Sequence, residues 1–418
     1  MKKLITARNL IIGDEMKLLK NGYLLIENGR IVEIGDGNKP IAGQSINLSK
    51  CTIIPGLINA HTHVGDSAFQ DIGFGRTLEE LFKPPHGLKH KLLSSAPQAA
   101  IIKACRETVF DMLHSGTTTF ADFRENGAEG VKMLLRALEG IKMRVLIFGR
   151  PDHTFRPEEL EANTAKLPKE ALDSIEQVDR FICGYAPSAP NDYTDEALRQ
   201  LASLARKHGK IRATHVAESP DSLKISKSRA GLSDVRRALS YFQADLLVHL
   251  VYVETEDLRE VTEQGVSVVC CPSANATLGL RLPPIREMLD RKINVALGTD
   301  NVMLNPPDML REMAFVLKMY RVGRMRENSL DSRDVLMMAT INGARALKIH
   351  DNVGSINVGK SADIVALDFD APNLRYCQDV LAAVVHRTRK ENVRLVMING
   401  EVVYDSNMEI QGSARKAL

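Results

Sequence analysis

Two histidines two residues apart, His61 and His63, close the apolar run Ile53-Ile-Pro-Gly-Leu-Ile-Asn-Ala. On a strand, residues i and i+2 share a face, so both imidazoles can converge on one ion beyond the strand's carboxyl end. The same pattern returns three times. His215 follows Ile211-Arg-Ala-Thr, His249 follows Leu246-Leu-Val, and Asp300 follows Val295-Ala-Leu-Gly-Thr. Each polar residue ends a short β-branched or leucine-rich run. His61, His63 and His215 offer three neutral nitrogens and Asp300 a carboxylate. One divalent ion held by that set, with a position left for water, is a hydrolytic arrangement. Zinc and ferrous iron both accept this ligand set. Asp300 can also take the proton of the attacking water. Glu218, three residues beyond His215, can serve as a proton shuttle if partial burial raises its pKa. His249 could be a fourth imidazole ligand or could polarise the water from beside the ion. The second role is favoured, because four ligands already fill the shell.

These residues need a scaffold that aligns strand ends. From 55 to about 354, apolar strand-like runs alternate with helical periods. The runs after the first are Thr117-Thr-Thr-Phe-Ala-Asp, Arg144-Val-Leu-Ile-Phe-Gly, Arg180-Phe-Ile-Cys-Gly-Tyr, Ala213-Thr-His, Leu246-Leu-Val-His, Val266-Ser-Val-Val-Cys and Val295-Ala-Leu-Gly. Helical periods intervene, such as the one from Asp195 that Gly209 caps. Eight β-then-α units predict an α/β fold, a (β/α)8 TIM barrel whose site lies at the carboxyl ends of its strands. Residues 65–95 form a long first loop containing Pro84-Pro85, of the kind that covers a barrel mouth.

The chain ends read differently. Tyr23-Leu-Leu-Ile-Glu and Arg30-Ile-Val-Glu-Ile flank an Asn28-Gly29 hairpin signal, and a second Asn-Gly stands at 399–400. Both ends are expected to pair into a small β-sandwich. The expected domains are 1–54, first part of the sandwich; 55–354, the hydrolase barrel; and 355–418, the second part.

Composition narrows the function classes. The 418 residues are 44% hydrophobic and 26% charged, as in an ordinary globular protein. A net charge of +3 and a pI of 8.4 give no field that favours nucleic acid. The basic runs Lys89-His-Lys91 and Arg236-Arg237 read as solvated helix faces. Six cysteines without framework spacing suit a reducing compartment, and adjacent Cys270 and Cys271 point to opposite faces. No run of about 18 apolar residues offers a membrane span. A cytoplasmic enzyme for a small molecule is the expectation, with pairing into a homo-oligomer open.

The chain resembles the amidohydrolase superfamily, in the metal-dependent branch of cytosine deaminase, triazine hydrolases and adenosylhomocysteine deaminases. The matching stretches are Pro55-Gly-Leu-Ile-Asn-Ala-His-Thr-His63, His215-Val-Ala-Glu218, His249, Cys271-Pro-Ser, Gly298-Thr-Asp300 and, late in the chain, Gly354-Ser-Ile-Asn-Val-Gly-Lys-Ser-Ala-Asp363 and Ile398-Asn-Gly400. The resemblance implies one metal on His61, His63, His215 and Asp300, with Glu218 and His249 handling protons. It implies hydrolytic deamination of an aminated heterocycle with release of ammonia. Dechlorination or cyclic-amide hydrolysis at the same site is the alternative, and a metal-free oligomeric scaffold a more distant one. The fourth strand ends without the modified lysine that bridges two metals in binuclear relatives. Two marks of the adenosylhomocysteine group are missing: Ser188 stands where its histidine would be, and the chain has no tryptophan.

Several other residues are weighed and set aside. His86, His90, His114, His153, His208, His350 and His386 are given no role. Asp66 and Asp71 are expected to bond loop backbone, Asp122 is a candidate for the pocket wall, Arg150 for binding an anionic substrate group or an acidic neighbour, and Asn301 and Asn305 are expected to shape a turn and cap a helix.

Overall fold

The structure is a computed structural model that describes residues 2–83, 87–322 and 329–409. Pro84, Pro85 and His86 of the first loop, and the last nine residues, lie outside the described residues.

The barrel is a ring of parallel strands: β6 (Leu57–His63), β7 (Thr117–Phe123), β8 (Arg144–Gly149), β9 (Gly184–Tyr185), β10 (Ile211–Val216), β11 (Leu246–His249), β12 (Ser267–Cys270) and β13 (Val295–Leu297). The expected (β/α)8 barrel is therefore present. Its eighth strand is split, because β13 pairs only with β12, while β14 (Asp300–Asn301) pairs with β6. Gly298 and Thr299 make the crossing. The Gly298 amide donates to the Cys270 carbonyl, and the Thr299 amide donates to the His61 carbonyl. A Cβ on Gly298 would stand 2.7 Å from the His61 Cβ, so this position needs glycine.

Strand side chains sort between two layers. Leu246 and Val248 pack inside the ring with Ala213, Phe148 and Ala296, while Leu247, Val268 and Ile147 face the surrounding helices. Each helix arises from its own local signals. The one from Asp195 to His208 is capped by Thr194, whose hydroxyl accepts from the Ala197 amide, and ends at Gly209 with φ +63°.

The chain ends pair into a second sheet, in the order β17-β16-β15-β5-β1-β3-β4, with β2 (Lys17–Lys20) beside β1. Here β1 is Lys2–Ile12, β3 Tyr23–Glu27, β4 Arg30–Gly35, β5 Gln44–Pro55, β15 Ile364–Asp368, β16 Val393–Ile398 and β17 Glu401–Asp405. The path is one continuous sheet, with a β1–β5 register shift between Ala7 and Asn9, and it curls enough to enclose a core of its own. Leu24 and Ile31 near one end of the path thereby share a core with Ile364 and Leu395 near the other. Both Asn-Gly signals are hairpin turns with positive φ at Asn28, Gly29, Asn399 and Gly400. Asp363 fastens this sheet to the barrel, pairing with Arg144 at 3.1 Å and accepting from the Ser361 hydroxyl.

Candidate active site

The four ligand candidates arrive from two strand ends and the start of β14. His61 and His63 end β6, His215 shares the inward face of β10 with Ala213, and Asp300 opens β14. Their polar atoms meet. His215 Nε2 lies 3.3 Å from both His61 Nε2 and His63 Nε2, and Asp300 Oδ1 lies 3.2 Å from His61 Nε2 and 3.6 Å from His63 Nε2. His61, His249 and Asp300 form a second group whose ligand atoms also lie within 4.8 Å of one another. His249 and Asp300 both hold left-handed backbone, φ +78° and +63°. Such conformations in non-glycine residues persist only where surrounding packing imposes them.

The donor set fits a divalent cation. Burial keeps the imidazoles neutral: His61 is pushed down to about 3, His249 to about 4, and His215 well below the usual histidine value. Burial alone would raise Asp300, but its hydrogen bond with His61 and the facing imidazoles hold it far below the carboxylate range. His215 Nδ1 lies 2.6 Å from the Ser188 carbonyl, which fixes the proton there and leaves the Nε2 lone pair facing the cluster. His63 Nδ1 faces the Glu125 carboxylate, 2.7 Å from Oε1. Around these ligands the buried carboxylates Asp66, Asp122, Glu125 and Asp300 face two buried cations, Lys89 and Arg124. That imbalance of two negative charges is what a divalent ion offsets. The cluster is of the kind that can hold a divalent ion.

His249 presents the opposite tautomer. Its Nδ1 lies 3.3 Å from the Asn275 amide nitrogen, which donates, so Nε2 carries the hydrogen. That Nε2 lies 3.5 Å from Glu218 Oε1. Burial, reinforced by the Asp300 charge, raises Glu218 well above the usual glutamate value. A proton donor and a protonatable carboxyl thus stand side by side at the edge of the ligand cluster. Both line a pocket with Asp300, Asn301, Lys89, His90, Arg150 and Asp192.

Other sequence expectations meet mixed outcomes. Arg150 lines the pocket, but Asp122 does not: it is fully buried, accepts from the Val64 amide and pairs with Arg124. Asp66 bonds backbone as expected, accepting from Met303, and also pairs with Lys89. Ser188 lines the pocket and donates to Asp192 at 2.6 Å. Asn301 caps nothing. It donates to Asp300 Oδ1 at 2.8 Å and accepts from Lys89, while Asp308 caps the helix that follows. His90, given no role, sits in the pocket wall.

The sequence reading missed Lys89 and Glu125. Lys89 is no solvated face, being 4% exposed and paired with Glu125 and Asp66. It belongs to a helix, Leu88–Ser95, inside what reads as loop. Glu125 follows β7 as His215 follows its own run, and its place two residues past Phe123 was the available signal. Burial alone would raise Glu125, but Lys89 and His63 hold it well below the usual range.

The sequence pattern described as "Amidohydrolase family" matches residues 52–403. A putative aminohydrolase of Methanothermobacter thermautotrophicus is 38% identical over 403 residues, which is 96% of this chain and 100% of that protein. A 5'-deoxyadenosine deaminase of Methanosarcina acetivorans is 30% identical over 397 residues, 93% of this chain and 89% of that one. Among solved structures, an adenosine deaminase of Xanthomonas campestris with bound zinc superposes with a TM-score of 0.85 at 21% identity, covering 96% of this chain and 92% of that one.

Proposed function

The chain belongs to the amidohydrolase family, and from that premise we propose that it is a mononuclear zinc enzyme that hydrolytically deaminates an aminated heterocycle and releases ammonia. The observation that carries this reading is the pairing of Glu218 with His249 beside the ligand cluster. Hydrolysis of an amidine-like ring carbon needs a proton delivered to the ring nitrogen and another to the leaving amine. His61, His63, His215 and Asp300 would hold the ion. When bound, the ion supplies water acidified toward a pKa of ~7 and neutralises charge that develops at the reacting carbon. Glu218, kept protonated by burial, donates to the ring nitrogen next to that carbon. Asp300 accepts the proton of the water and passes it to the departing nitrogen. His249 directs its Nε2–H at the developing negative charge on oxygen. Zinc rather than ferrous iron is supported by the zinc in the superposed Xanthomonas structure, and 6-aminopurine nucleosides by the name of the Methanosarcina relative.

The test is an ammonia-release screen of zinc-loaded protein across aminopurine nucleosides, aminopyrimidines, pterins and aminotriazines, with metal content measured alongside. Ammonia from one class at a stoichiometry near one zinc per chain is the expected result. Chloride from chlorotriazines, or ring-opened product without ammonia, would replace deamination with one of the other hydrolyses. Ammonia from none of the classes would end the deaminase assignment.

A further inference from the structure

Lys89 is the one residue of the first-loop helix that reaches the ligand cluster, and it does so entirely through protein. Its ammonium meets Glu125, Asp66 Oδ2 at 3.3 Å and Asn301 Oδ1 at 2.5 Å. All three neighbours are protein groups, so the role of Lys89 lies in what they do. Glu125 faces Nδ1 of His63 at 2.7 Å, and Asn301 donates to Oδ1 of Asp300 at 2.8 Å. We propose that Lys89, acting through Glu125 and Asn301, is a positioning residue that ties the helix Leu88–Ser95 to the metal ligands His63 and Asp300, so that order in the first loop and affinity for the ion rise and fall together. The proposal rests on the metal-centre reading above.

The physical argument has two parts. Glu125 is 3% exposed and Asp66 fully buried, so the helix cannot swing away without taking the ammonium from two carboxylates held out of water. A carboxylate behind a ligating imidazole fixes its tautomer and raises its basicity, and loss of such a partner weakens metal binding by about 10–100-fold. Linkage then requires reciprocity: if the ordered helix strengthens binding, binding must order the helix.

The experiment uses full-length protein, a chromophoric chelator competing for zinc, and amide hydrogen exchange over 88–95 with and without zinc. Glu125→Gln and Lys89→Met are each expected to weaken zinc binding by about 10–100-fold. The double variant should bind within threefold of the weaker single, because residues that act as a unit are not additive. Stripping zinc from the parent should speed exchange in 88–95, and that difference should vanish in Lys89→Met. Singles within threefold of the parent, losses that multiply in the double variant, or exchange indifferent to zinc would each overturn the tie. Should Lys89→Met fail to fold, the isosteric Glu125→Gln carries the test, through its affinity and its exchange. A parent that holds no zinc would bring down the metal centre itself. A zinc-binding parent with indifferent variants brings down only the tie.

Discussion

Glu218 and Asp300 are both carboxylates in one pocket, yet their surroundings drive them in opposite directions. Burial and the neighbouring Asp300 charge raise Glu218, while His61 and the other imidazoles lower Asp300. That separation assigns donor and acceptor. Glu218→Gln should keep its zinc and lose kcat by about 10²–10⁴-fold, measured by ammonia release with metal content as control. His61→Ala should instead lose the ion, taking stoichiometry from near one to near zero by elemental analysis. A pH-dependent prediction concerns Glu312, which is 3% exposed and pushed up to about 7 by burial, although Ser273 bonds partly counteract this. Its folded pKa exceeds its unfolded value, so its favourable contribution is complete at acid pH and disappears as pH rises through 7. Glu312→Gln removes that dependence. Its stability relative to the parent should improve by about 1–3 kcal/mol between pH 5 and pH 8, read from urea unfolding at both. The histidines and Asp300 were legible because each closes an apolar run, a purely local mark. Lys89 was not, since Lys-His-Lys looks the same on a wet helix as in a buried salt bridge, and its partners come from distant strands.

At the scale of elements, the informative piece is the eighth strand. The run Val295-Ala-Leu-Gly-Thr-Asp reads as one strand, and in the fold it is two, β13 and β14, paired to opposite neighbours. Hydropathy reports burial and not partner, so the break was invisible in the sequence. Its cause is steric. The glycine at the crossing rides against the His61 backbone, with N and O each 2.9 Å from where a Cβ would sit. Gly298→Ala should therefore displace β6 at a ligand. We expect a loss of about 1–3 kcal/mol by denaturant unfolding, accompanied by weaker zinc binding in chelator competition. Hairpins and caps behaved differently. Asn28-Gly29, Asn399-Gly400 and Gly209 carry turn chemistry within one or two residues, and each forms as expected. Of the two helices within 65–95, Leu78–Phe82 and Leu88–Ser95, the second escaped because it is short and has no side-chain cap.

Across the whole molecule, the barrel and the end sheet meet through Arg144 and Asp363, and the Gly56 amide beside β6 donates to the Asp363 carbonyl. That pairing of distant ends was readable, since both ends carry alternating strands with no partner of their own. The register shift between Ala7 and Asn9 was not, because such a shift leaves no mark in hydropathy. Among the described residues no helix is long and apolar enough to cross a membrane. The imbalance of buried charge at the site also has a global readout. Zinc at a thousand times its Kd should stabilise the fold by about 4 kcal/mol, seen as a rise in Tm that grows with zinc concentration and is reversed by chelator.

The split eighth strand has one more implication, for synthesis. Thr62 and His63 receive their last backbone neighbours from Asp300 and Asn301, so pairing β14 with β6 and bringing Asp300 up to the histidines are a single event. Asp300 lies 239 positions after His61. A nascent chain on the ribosome must therefore make most of the barrel before β14, the last stave, can pair with β6.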